Sequence, residues 1–126
     1  MNESVATIPM ESLRLPLLNG VLAETHLIAE QSQRVEELFQ RLADQWRKET
    51  AHLSLVVKKV MHPAYQRIIG LGPAAIPLLL RELQQQPGHW TWALRAITGE
   101  DPTLPDDTVT QAAQAWVKWG QERNYL

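Results

Sequence analysis

The chain contains no cysteine. That excludes a disulfide framework, a thiolate metal site and a cysteine nucleophile, and it fits a reducing compartment, so a cytoplasmic location is expected. Long apolar runs are missing too. The longest, Ala74 to Leu80, contains Pro77 and falls far short of the roughly 20 residues a membrane span requires. The opening residues, MNESVATIPMESLRLPLL, have neither the basic start nor the continuous apolar core of a secretory signal. A soluble protein without a membrane partner follows as the expectation. His26, His52, His62 and His89 lack HxxxH or HExxH spacing, so no pair of imidazoles shares a helical turn and no metal site is expected. There is no glycine-rich phosphate loop, GxSxG elbow or Ser, His and Asp constellation. The reading is therefore a protein that is not an enzyme, with no cofactor and no small-molecule substrate.

What is present suits one helical domain. The chain has 126 residues, 44% of them hydrophobic, enough for a single core and too few for two. Its net charge of -2 hides a segregation. Residues 51–98 carry Glu82 alone against Lys58, Lys59, Arg67, Arg81 and Arg95, while acidic groups dominate both flanking segments. A basic middle between acidic ends either packs on them or offers a face to an acidic partner.

Residues 1–21 read as an N-terminal arm, because Pro9, Pro16 and Gly20 interrupt any helix, and Leu13, Leu15, Leu17 and Leu18 suit it to docking. Residues 22–50 then read as a long helix: Val35, Leu38, Phe39, Leu42 and Trp46 recur at helical spacing. Its outer face offers Arg34, Glu37, Arg41, Asp44 and Lys48 for pairing at three or four residues. The first half of this helix has only a weak apolar stripe, which predicts a break near Ser32, projection, or pairing with a second copy as a homodimer. Residues 51–62 form a connector, helical or irregular rather than a strand, since no second strand-like run exists to satisfy it, and Ser54 is available as an N-cap.

The module at 63–99 has clear punctuation. Pro63 starts a short helix that Gly70 and Gly72 end; Pro73 starts a second with Ile76, Leu79, Leu80 and Leu83 on one stripe and a bend expected at Pro77. A third runs from Gly88 to Thr98, stopped by Gly99 and Pro102. Trp90 and Trp92 lie about 200° apart on it, so they cannot both face the same contact. The last helix, 109–123, is capped by Asp107 or Thr108, with Val109, Ala112, Ala113, Trp116 and Gly120 inward and Trp119 beside Trp116. The fold class is all-α, a small helical bundle.

The run GPAAIPLLLREL at Gly72 to Leu83, followed by a second amphipathic helix after Pro87 and Gly88, resembles one HEAT-like helical hairpin. A lone unit implies capping by the long helix and the C-terminal helix, because repeats gain stability by stacking. The set HPAYQRIIG, PLLLREL, HWTWALRAITGEDP and AWVKWG is also similar to a group of small bacterial helical proteins, which implies a bacterial accessory role and carries over no functional residue.

The candidate chemistry is recognition. Five tryptophans exceed what a core of this size needs, and tryptophan with arginine is enriched at binding hot spots, so Trp92, Arg95 and Trp119 are the expected protein-binding residues of an adaptor or accessory subunit. The competing account makes the tryptophans core plugs. Lys58, Lys59 and Arg67 support a nucleic-acid-associated alternative. The acidic cluster Glu100, Asp101, Asp106 and Asp107 is read as a turn and a helix cap in preference to a divalent-cation site.

Overall fold

Helix α1 is Met10–Thr50. The computed structural model describes the backbone from Met10 and side chains from Glu24; residues 1–9, where the expected arm begins, lie outside the described residues. The helical backbone starts at Met10 and not at Leu22, and it continues through Pro16, Gly20 and Ser32. A proline within a helix removes one amide and bends the axis, which does not oblige the helix to stop there. Five shorter helices follow: α2 (Val56–Val60), α3 (Pro63–Gly70), α4 (Ile76–Gln85), α5 (Thr91–Thr98) and α6 (Val109–Glu122), with a 3-10 turn at Gly72–Ala75. No strand occurs among the described residues, and the class is all-α.

The chain divides into two compact units, residues 1–34 and 35–126. In the described part of the first, Glu24 to Arg34, Leu27 and Ile28 are exposed and His26 pairs with Glu30 at 3.4 Å.

The second unit holds the core. Phe39, Leu42, Ala43 and Trp46 of α1 are buried, with Val35 and Leu38 packed against them, so the helical spacing read from the sequence marks the inward face. Outside it, the ion pairs differ from the intrahelical set expected: Asp44 pairs with Arg47, Arg47 with Glu82 of α4, and Glu36 with Arg81 of α4. Long side chains on α1 reach the neighbouring helix as easily as their own next turn. The connector does contain a helix, α2, but Leu55 occupies its N-cap position without a side-chain bond, and Ser54 does not cap it.

His62 caps α3, its Nδ1 accepting the Ala64 amide at 3.0 Å. Its Nε2 lies 2.8 Å from Glu49 Oε1, which makes Nε2 the protonated nitrogen and ties α3 to the end of α1. Pro77 falls in the first turn of α4, because a 3-10 turn precedes that helix; its missing amide is one that would have had no helical partner. Helix α4 buries Ile76, Leu78, Leu79, Leu80 and Leu83. It meets α6 so closely that a Cβ at Gly120 would overlap Leu80 Cδ1. Thr108, and not Asp107, caps α6 through a capping box with Gln111, while Asp107 accepts the Leu104 amide at 2.8 Å.

Candidate functional site

The surface around Trp92 is set by how α5 is held from behind. Trp90 is 4% exposed and stacks on Tyr65 at 5.4 Å, with Trp46 at 4.7 Å and Phe39 at 5.9 Å. The Tyr65 hydroxyl donates to the His89 carbonyl at 2.6 Å and accepts the Ala93 amide at 2.9 Å. One buried oxygen thus satisfies the loop before α5 and a free amide in its first turn. Burial pushes the Tyr65 hydroxyl well above its ordinary value, opposed by the Ala93 hydrogen bond, so it stays protonated and can donate. Helix α5 begins at Thr91, after a turn through His89 and Trp90, three residues later than expected. Gly99 ends it in the left-handed conformation, φ 73°, that a capping glycine adopts without strain.

With Trp90 held inward, Trp92 turns out to solvent and is 44% exposed. Arg95, one turn along, lies over its ring at 5.3 Å and pairs with Asp101 at 3.5 Å. A parallel arrangement stands on α6. Arg123 lies over the Trp119 ring at 4.6 Å and pairs with Glu100 at 3.2 Å, and Glu100 also accepts the Trp119 indole N–H at 3.1 Å. Tyr125 stacks on Trp119 at 5.6 Å.

The dipeptide Glu100–Asp101 therefore takes one arginine from each helix, and each arginine covers a tryptophan. Two shallow depressions, of about 430 and 500 Å³, share Glu100 and Asp101 as a common wall; Trp92 and Arg95 line the first, Trp119 and Arg123 the second. Asp101 is also bonded by the hydroxyl and amide of Thr103, at 2.6 and 3.0 Å. Its carboxyl lies below the usual value, chiefly through the Thr103 hydroxyl, which burial opposes, with smaller help from the Thr103 amide and then the Arg95 charge.

The three expected protein-binding residues thus gather around one acidic clip, but they are not equivalent. Trp119 is 5% exposed and belongs to the core, T-shaped against Trp116 at 5.2 Å, so it is no part of the outward face. Spacing placed it beside Trp116 but could not show that Arg123, Glu100 and Tyr125 roof it over. Spacing assigns no binding role to Arg123 or Tyr125, and Glu100 enters only as part of the acidic cluster of a turn. The Trp119 to Arg123 spacing was a usable signal; the link to Glu100 depends on the packing of α5 beside α6.

The basic candidates do not join this surface. Lys58 and Arg67 are exposed, and Lys59 is half-buried in a separate cleft beside Trp46 and His89. None of the three has an ion pair among the described residues, whereas Arg81 and Arg95 of the same basic segment are paired with Glu36 and Asp101. Glu100, Asp101 and Asp107 are each bonded to protein donors, and no group of three or more His, Asp or Glu side chains gathers as a metal-ligand set among the described residues. No described helix is long and apolar enough to cross a membrane. No family model, curated protein or solved structure matches the chain.

Proposed function

We propose that the protein is a non-catalytic interaction module, an adaptor or accessory subunit of a bacterial cytoplasmic complex, and that its partner protein docks on Trp92 and Arg95. The observation that carries this reading is the contrast among the tryptophans: Trp92 is 44% exposed, while Trp46, Trp90, Trp116 and Trp119 are each 6% or less. A bared indole costs solvation unless a partner covers it, and an arginine already laid on its ring loses less freedom on docking. The pairing with Asp101 holds that arginine in place. The hairpin of α4 and α5, read as HEAT-like, presents the pair on a rigid helix.

The test compares the wild-type chain with Trp92→Ala and Arg95→Glu as baits for host proteins. Both variants should fold with nearly unchanged melting temperature and lose the captured partner; capture undiminished by either substitution sinks the proposal. The nucleic-acid alternative rests on the unpaired Lys58, Lys59 and Arg67. It requires salt-sensitive binding of a labelled oligonucleotide that disappears in Lys58→Glu with Lys59→Glu. The homodimer reading rests on the exposure of Leu27 and Ile28. It requires a concentration-dependent mass in sedimentation, reduced in Ile28→Glu.

A further inference from the structure

A second site, unrelated to the Trp92 face, lies in the cleft of about 260 Å³ between the end of α1, α2 and the loop before α5. Three basic side chains, Arg47, Lys59 and His89, line it, with Glu82 as the carboxylate among its walls. Glu82 is committed to Arg47, which is also bonded to Asp44 at 3.2 Å and lies against the Trp90 ring at 5.9 Å. Lys59 has no such partner. It is half-buried and forms no ion pair among the described residues. Its charge is therefore uncommitted within the protein and available to an anion that enters the cleft.

The two residues that present these groups are fixed at their backbones. The Trp46 indole N–H donates to the Lys59 carbonyl at 2.7 Å, and the Tyr65 hydroxyl donates to the His89 carbonyl at 2.6 Å. Trp46 and Tyr65 are themselves buried and in contact at 5.3 Å. Two core aromatics thus hold the backbone of the two basic residues on one cleft, so a ligand need not order that backbone on binding. His89 is held below its ordinary pKa, first by burial and then by the charge of Lys59, which agrees with the two side chains lying near one another.

We infer that this cleft binds a small oxyanion, a phosphate or carboxylate group, through Lys59 and His89, with Arg47 completing its wall. The cleft is small, so the recognised unit is the anionic group itself or a compact molecule bearing it. Charge-assisted hydrogen bonds from Lys59 supply the main attraction.

The experiment titrates the protein with inorganic phosphate and, separately, with acetate, at constant ionic strength kept with chloride. Binding is followed by amide shifts at Lys59 and His89 and by the Trp46 indole N–H signal. Saturable shifts at these three probes are expected, and the stronger of the two anions identifies the chemistry. Lys59→Met should weaken binding by about tenfold, while Lys58→Met, which removes the same charge at an exposed neighbour, should leave it unchanged. The structural role at position 59 belongs to the backbone carbonyl, so the fold should survive; if Lys59→Met does not fold, His89→Gln must give the weakening instead. Absence of saturation by either anion up to about 50 mM, or equal losses in Lys58→Met and Lys59→Met, overturns the assignment.

Discussion

The cluster around Trp90 and the clip at Glu100–Asp101 use the same residue types to opposite ends. Around Trp90 the aromatic polar atoms turn inward: Trp46 and Tyr65 donate to the carbonyls of Lys59 and His89, and the rings are buried. At the clip they meet charge. Trp119 donates to a carboxylate, and arginines lie over Trp92 and Trp119 at the edge of solvent. The first arrangement holds elements together through neutral hydrogen bonds between partly buried groups, where an unmade bond is costly. The second keeps charged groups wet, where each pair contributes little to stability but fixes side-chain orientation. Trp90 and Trp92 stand two residues apart on opposite sides of that division.

Removing each ring gives the largest contrast. Trp90→Ala should cost about 3–5 kcal/mol of unfolding free energy, because the site lies among Phe39, Trp46 and Tyr65 and cannot collapse freely. Trp92→Ala should cost less than about 1 kcal/mol. Urea unfolding of both variants measures this, and similar losses would erase the distinction between the two regions. A finer cut separates ring from hydroxyl. Tyr65→Phe keeps the stacking on Trp90 but strands the His89 carbonyl and the Ala93 amide, for a predicted loss of about 1–3 kcal/mol by the same measurement.

The smallest effect expected is at the clip and depends on pH. The Asp101 carboxyl lies below its ordinary value of 3.8 in the folded state, so on acidification the unfolded chain takes up that proton first. Its contribution is present above the ordinary value and is lost as pH falls through the lower folded value. Asp101→Asn should therefore flatten the acid limb of stability below about pH 4 and leave the Trp90 cluster intact, as near-ultraviolet circular dichroism would show. An acid limb identical to wild type would mean that Asp101 is not held by Thr103 and Arg95 in solution.

Helical periodicity was legible wherever one face of an element meets a single core. Phe39, Leu42 and Trp46 on α1, and Leu79, Leu80 and Leu83 on α4, are buried as their spacing indicated. Punctuation was legible where the chemistry is local: Pro63 opens α3, Gly99 closes α5 and Thr108 caps α6. Reading failed where a local signal had a competitor. Ser54 could cap α2 but Leu55 takes that position, and Asp107 bonds Leu104 instead of capping α6. Pro16 and Gly20 read as breaks that hold the long helix back to Leu22, and its backbone runs through both.

The sequence by itself determined an all-α chain, the inward face of each main helix and the opposition of Trp90 to Trp92, because these depend on spacing along one element. Tertiary structure decided the rest. Only the packing of α5 beside α6 brings Arg123 to Glu100, next to the Asp101 that Arg95 holds, and only the approach of α1 to α2 and α3 places Lys59 and His89 on one cleft. Such groupings join residues more than a helix apart, through side chains whose alternatives along their own helix are just as favourable locally, so no periodicity records them.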